Sequence, residues 1–131
     1  MLEITKQSDY GLLLVSRLKE KKEYVPLSSI LKEVKLPKRF IARIAALLVR
    51  AKILESREGK EGGYRLTKKA AEISLYEFFK IFEGDIAMTK CMMDGHRCPL
   101  GKNCPHQTFF KRVLKPSLEL SLKKYKLLKV V

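Results

Sequence analysis

Acidic residues are scarce in this chain. Fourteen Asp and Glu face twenty-eight Lys and Arg, a formal net charge of +14 over 131 residues. That excess points to a polyanion partner, with nucleic acid ahead of an anionic membrane surface because its phosphates reward clustered cations. Long apolar runs are missing as well. No stretch approaches the ~20 residues that cross a bilayer, and Met1-Leu-Glu-Ile-Thr-Lys does not read as a secretory signal, so a cytoplasmic protein is expected. The three cysteines cannot all pair within one chain, which argues against a disulfide scaffold. A reducing compartment leaves them free for metals or redox chemistry. Gly62-Gly63 fits no phosphate-binding pattern and opens a strand instead of a helix. No catalytic fingerprint or second acid–base cluster occurs, so an enzyme is not expected. With one Asn and two Gln against abundant Lys and Glu, the composition leans toward that of thermophilic proteins.

What is present suffices for one domain with an extension, since 46% of the residues are hydrophobic. Tyr10, Leu13, Leu14 and Leu18 recur at helical spacing, and Ser8 or Asp9 can cap a helix over 9–22. Pro26 and Ser28 introduce a short helix over 28–34, broken by Leu36-Pro37. A third helix runs over 37–51. Phe40, Ile44, Leu47 and Ala51 form its apolar stripe, joined by Ile41 and Leu48. Arg39, Arg43, Ala46 and Arg50 form an outer one. Two helices joined tightly, the second basic outside, make a helix-turn-helix. Strands at 53–57 and 64–67 around the Gly-rich turn 58–63 add a β-hairpin wing.

Eleven basic residues against three acids lie between Lys35 and Lys69, on the two elements that would touch a duplex. Arg39 and Arg43 are expected in the major groove, where a planar fork reads guanine. Lys38, Arg50, Lys60 and Arg65 are assigned to phosphates, with Arg57 or Tyr64 assisting. Ser28, at the start of the second helix, completes the set. Ser74-Leu-Tyr-Glu77 is a capping box opening a further helix that Gly84 can end. Its face of Leu75, Phe78, Phe79 and Phe82 reads as core, since no RNA-binding sheet surrounds it.

Cys91, Cys98 and Cys104 share one stretch with both histidines, His96 and His106. Three soft thiolates suit iron–sulfur, copper or zinc. The spacing holds no C-x-x-C, which lowers the odds of a zinc knuckle, and it is not the ferredoxin run. Wider intervals suit a bulky cluster wrapped by a loop. Cys104 near the N-cap of the last helix, with Pro105 at its first position, should favour its thiolate. In that helix Phe110, Leu114, Leu118 and Leu122 repeat every four residues, and Pro116 should kink or divide it. The stripe needs a partner surface, economically the same helix of a second copy, with a membrane surface ranked second.

Ile4-Thr-Lys-Gln-Ser-Asp9-Tyr-Gly-Leu, Pro26-Leu-Ser-Ser-Ile-Leu, Leu36-Pro-Lys-Arg-Phe-Ile-Ala-Arg-Ile, Gly62-Gly63-Tyr64-Arg65-Leu66 and the three-cysteine loop follow in an order that resembles the Rrf2 family of winged-helix regulators across essentially the whole chain. The resemblance implies a mainly α fold with a small β-hairpin wing. A winged helix-turn-helix head (1–84) would precede a cluster-binding loop (85–106) and a long C-terminal dimerisation helix (107–131). It also implies a homodimer that binds a pseudo-palindromic operator in double-stranded DNA, in most readings as a repressor sensing redox, nitric oxide or cluster status. Cys91, Cys98 and Cys104 would ligate an iron–sulfur cluster. The fourth ligand varies within the family. Asp9, reaching across from the other subunit, matches the pattern of NsrR-type members and favours 4Fe-4S. His106, two residues past Cys104 where the IscR-type pattern has three, favours 2Fe-2S. His96 lies inside the loop as a further option. Members without clusters leave a zinc site or a thiol redox switch as the alternative use of the loop. Two departures, a wing one residue longer and Ala42 where IscR-like members have glutamate, mean that an operator sequence does not transfer.

Overall fold

The computed structural model describes residues 1–131. Helix α1 (Lys6–Leu18) starts a turn earlier than the apolar spacing predicts, and its cap is Thr5, whose hydroxyl accepts from the Ser8 amide at 3.3 Å. The shift has a tertiary cause. The Glu83 carboxylate arrives from the end of another helix, accepting from the Thr5 amide and hydroxyl, both at 2.9 Å, and from the Ser8 hydroxyl. The helix stops at Leu18 because the Lys/Glu run after it offers no further apolar stripe. Gly11 lies inward, where an added Cβ would stand 2.8 Å from the Phe82 ring and 3.1 Å from the Phe78 ring. Only glycine permits this approach of the two helices.

Helices α2 (Leu27–Val34) and α3 (Lys38–Arg50) follow, separated by Lys35 in the left-handed conformation (φ 46°) and by Pro37 as N-cap. Ile41, Ile44, Ala45 and Leu48 of α3 are buried against Leu14, Val15 and Leu18 of α1 and Ile30 of α2. Strands β1 (Leu54–Arg57) and β2 (Gly63–Leu66) pair antiparallel with Glu55 opposite Arg65. Val25 adds a single rung on the other side of β2, exchanging both backbone hydrogen bonds with Tyr64 at 2.9 Å. This rung explains Gly63, at φ 141°, since a Cβ there would sit 2.1 Å from the Val25 carbonyl oxygen. The mainly helical fold with a two-stranded wing is therefore as the sequence pattern predicts.

Helix α4 (Leu75–Glu83) carries the expected capping box, with Glu77 accepting from the Ser74 amide at 2.8 Å, and Gly84 ends it at φ 71°. Phe78 is fully buried and meets Phe79 and Phe82 edge-on, as core. The segment that follows holds two 3-10 turns, Lys90–Met92 and Gly101–Asn103. A continuous helical run covers 107–124: α5 (Gln107–Phe109), a π-helical turn (Phe110–Leu114) and α6 (Lys115–Lys124). Pro116 does not divide it. The missing donor of the proline is absorbed by the wider π turn, and the Ser117 hydroxyl donates to the Val113 carbonyl at 2.7 Å.

Two expectations for this helix change. Phe110, Leu114, Leu118 and Leu122 are half-buried toward the rest of the chain, whereas Phe109, Val113 and Leu120 are 50–71% exposed. The free apolar stripe is thus the second one. The helix also ends at Lys124, not at the last residue. Residues 125–131 return to the head, where α7 (Leu127–Val130) places Leu127 fully buried in the core. The Leu75 amide donates to the Tyr125 carbonyl at 2.9 Å and the Leu127 amide to the Ile73 carbonyl at 3.0 Å. No helix is long and apolar enough to cross a membrane.

Burial pushes the Glu83 carboxyl up, but the Ser8 hydroxyl and the Thr5 amide and hydroxyl outweigh it, and the group is held below the usual carboxylate range. Glu83→Ala should cost about 1–3 kcal/mol in urea unfolding at neutral pH, because the buried Ser8 hydroxyl loses its acceptor. A lowered folded value means stability that is present above the ordinary carboxylate pKa and lost as pH falls through the folded one. The gap between wild type and variant should therefore close in strong acid. A gap that widens there would contradict this assignment.

Candidate nucleic-acid interface and cysteine loop

The face of α3 opposite the core is basic and unpaired. Lys38, Arg39, Arg43 and Arg50 are exposed, with the small Ala46 between them. None of them takes part in the ion pairs of the molecule, which are Arg17–Glu33, Arg65–Glu55, Lys115–Asp94 and Lys123–Glu119. Ser28 is exposed in the first turn of α2, and Arg57 and Lys60 are exposed on the wing. Tyr64 is half-buried against the core and held by its backbone rung to Val25. Arg65 differs from the other expected contacts. Its Nε donates to Glu55 at 2.7 Å and its Nη2 lies 2.6 Å from the same carboxylate oxygen. The hydrogen bond to Glu55 raises its pKa further, so the guanidinium is charged throughout, with its Nε and Nη2 already engaged.

The cysteine loop starts from Gly84, directly after the Glu83 contact with α1. Cys91, Cys98 and Cys104 are all half-buried free thiols. The Cys91 sulfur lies 3.0 Å from the Thr89 hydroxyl, within hydrogen-bond reach. Asp9 is exposed in the first turn of α1. His106 is exposed as the N-cap of the long helix and meets the Phe110 ring edge-on at 5.5 Å. His96 is half-buried within the loop. Because the helix opens at Gln107, Cys104 precedes its first turn instead of capping it. The dipole argument for its thiolate therefore weakens, since that effect fades within one turn.

A charged contact fixes the middle of the loop. Lys115, with a side chain 15% exposed, donates to Asp94 at 2.8 Å, and the Asp94 amide donates to the Asp85 carboxylate at 2.8 Å. The hydrogen bond between the pair lowers the Asp94 pKa and raises that of Lys115. The donor chemistry fits an iron–sulfur cluster: three soft thiols lie on one loop, and Gly95 and Gly101, at φ 76° and 48°, stand in open space. In this conformation no three His, Cys, Asp or Glu side chains gather into a ligand set. Asp94 lies between Cys91 and Cys98 in the chain.

The model of the Rrf2 family, described as an iron-dependent transcriptional regulator, matches residues 4–131. The chain belongs to the Rrf2 family. A curated relative, protein aau3 of Rhizobium meliloti, is 29% identical over 91% of the chain and 79% of its own length. Among solved structures the chain is similar to CymR, the global cysteine regulator of B. subtilis. The TM-score is 0.75 at 20% identity, covering 99% of this chain and 96% of that one. IscR of T. potens gives a TM-score of 0.68 at 20% identity, covering 98% and 85%. At those identities the structures speak for the fold. Membership makes this Rrf2 protein a transcriptional regulator and disposes of the enzyme reading.

Sequence patterning in this Rrf2 chain found the basic face of α3 and the wing. It missed Tyr24 and Glu55, which occupy Arg65. Glu55 was open to discovery by pairing the strands outward from Gly62-Gly63. Tyr24, Asp85 and Lys115 carry no local signal, because their partners are distant in the chain. If Lys115 holds the loop, Lys115→Met should raise the reaction rate of the thiols with a disulfide reagent several-fold. Wild-type protein in high salt should approach the variant, because screening weakens a pair whose carboxylate is exposed. Equal rates at low salt would show that the pair does not restrain the loop.

Proposed function

We propose that this Rrf2-family regulator is a homodimer that binds a pseudo-palindromic operator in double-stranded DNA, acting as a repressor whose affinity an iron–sulfur cluster controls. The unpaired cationic face of α3 beside the wing carries the DNA reading. Arg39 and Arg43 would enter the major groove, while Lys38, Arg50, Lys60 and Arg57 neutralise phosphates and Ser28 donates at the groove edge. Residues 1–84 form the DNA-binding head and 85–106 the sensing loop. The exposed stripe of Phe109, Val113 and Leu120 is the surface offered to the second copy.

Cys91, Cys98 and Cys104 are the thiolate ligands, with Asp9 of a second copy as the fourth and His106 as the alternative. The bound cluster supplies a link that nitric oxide, oxygen or scarcity of iron can break. Asp9 serves this purpose because α1, which carries it, packs on the recognition helix. Ligation from the other subunit would fix the distance between the two heads and so set operator affinity. A second reading, a thiol switch or zinc site without a cluster, is supported by the three free, ungathered thiols and by the likeness to a cysteine regulator.

Arg43→Ala should cost about 1–3 kcal/mol at the cognate site and relax sequence preference, as read by titration of labelled duplexes. Equal weakening on cognate and unrelated DNA would move Arg43 to a phosphate. Anaerobic reconstitution of the full chain should give a visible absorption band with bound iron and sulfide, reduced by Cys98→Ser. Stoichiometric zinc without sulfide would favour the second reading.

A further inference from the structure

The wing carries two arginines that the fold treats differently. Besides its two contacts with Glu55, Arg65 donates to the Tyr24 hydroxyl at 3.3 Å, and its guanidinium lies 4.3 Å from the centre of the Tyr24 ring. Its charge is balanced by Glu55, and its Nε and Nη2 are engaged. Arg57 has no ion pair and no side-chain hydrogen bond. Its guanidinium has one neighbour suited to a cation, the same Tyr24 ring, at 5.8 Å.

One aromatic ring therefore serves both guanidiniums. Two like charges on a shared ring repel, and Glu55 removes that repulsion by neutralising Arg65. The ring itself is held in place. Tyr24 is half-buried, and the next residue, Val25, is locked to Tyr64 by both backbone hydrogen bonds, with Gly63 leaving the space for it. The platform belongs to the segment ahead of α2, so it ties the wing to the helix-turn-helix. An arginine held in advance loses less rotamer freedom when it reaches its target.

We propose that Tyr24 is a positioning residue for the wing: braced by Glu55 and Arg65, it presents the Arg57 guanidinium to a phosphate of bound duplex DNA, while Arg65 stays off the DNA. This rests on the DNA-binding reading above. Because a phosphate contact is independent of sequence, the test needs no operator. Full-length protein is titrated with a labelled mixed-sequence duplex over a range of salt concentrations.

Arg57→Ala should weaken binding several-fold and reduce the slope of log affinity against log salt by about one. Tyr24→Leu should weaken it by about two- to fivefold, the range of an exposed cation–π contact. The double variant should bind no worse than Arg57→Ala alone, and Tyr24→Phe, which keeps the ring, should recover most of the affinity. Glu55→Gln with Arg65→Gln, which removes the brace at constant net charge, should keep the wild-type salt slope. That variant tests whether Arg65 stays off the DNA; should Tyr24→Leu fail to fold, Tyr24→Gln takes its place in the cycle with Arg57→Ala. Multiplying effects of Arg57→Ala and Tyr24→Leu would overturn the proposal, as would a slope lowered by the Glu55/Arg65 pair variant. If the wild type binds no duplex at low salt, the DNA reading fails and takes this proposal with it.

Discussion

The carboxylate of Glu83 joins the two working parts of the molecule. It is the last residue of α4, yet it closes the first turn of α1 by accepting from Thr5 and Ser8. An anion at a helix N-terminus meets unsatisfied backbone donors and the positive end of the dipole, so the contact is favourable on both counts. Beside it, Gly11 lets the rings of Phe78 and Phe82 lie directly against α1. The chain then leaves through Gly84 into the cysteine loop. The root of that loop is therefore set by the same contact that sets α1, and α1 packs on α3. A displacement at the loop root has a short path of packed elements into α3.

The helix that follows the loop is fixed at its C-terminal end, where residues 125–131 pair with the start of α4 and Leu127 enters the core. Midway, the π turn lets Pro116 sit inside a continuous helix and brings Lys115 to Asp94. The loop is thus pinned at its root and near its middle, and the helix that follows it is anchored at its far end. The segment that carries Cys91 and Cys98 is tied through Asp94 to the long helix.

Local features of the fold were legible in the sequence for reasons that are themselves local. The Ser74/Glu77 capping box, the Gly84 stop and the two faces of α3 follow from neighbours within a few residues. What escaped depends on distant partners. Thr5 caps α1 because Glu83 is nearby in space, which no spacing rule reports. Apolar periodicity in the long helix identified a stripe but not which surface covered it, and the covered stripe proved to be the one facing its own chain. Leu127 looks like a helical continuation until the head supplies a place for it. Among the candidate site residues, the cysteines were obvious as a set, whereas the second partner of Arg65, Tyr24, lies far from it in the chain.

The placement of charge carries the last step. A net charge of +14 disfavours compaction through self-repulsion, so a chain selected for stability alone would pair its cations where acids are within reach. It does so at Arg65, where Glu55 stands opposite across the hairpin. On the same hairpin Arg57 is left exposed, and on α3 the arginines are separated by Ala46 instead of an acid. The acids of the wing do not reach them. Unpaired cations on α3 and the wing accord with a transcriptional regulator whose partner, DNA, brings its own negative charge. Arg65 shows how the wing satisfies one arginine internally, whereas Arg39, Arg43 and Arg57 have no acidic partner.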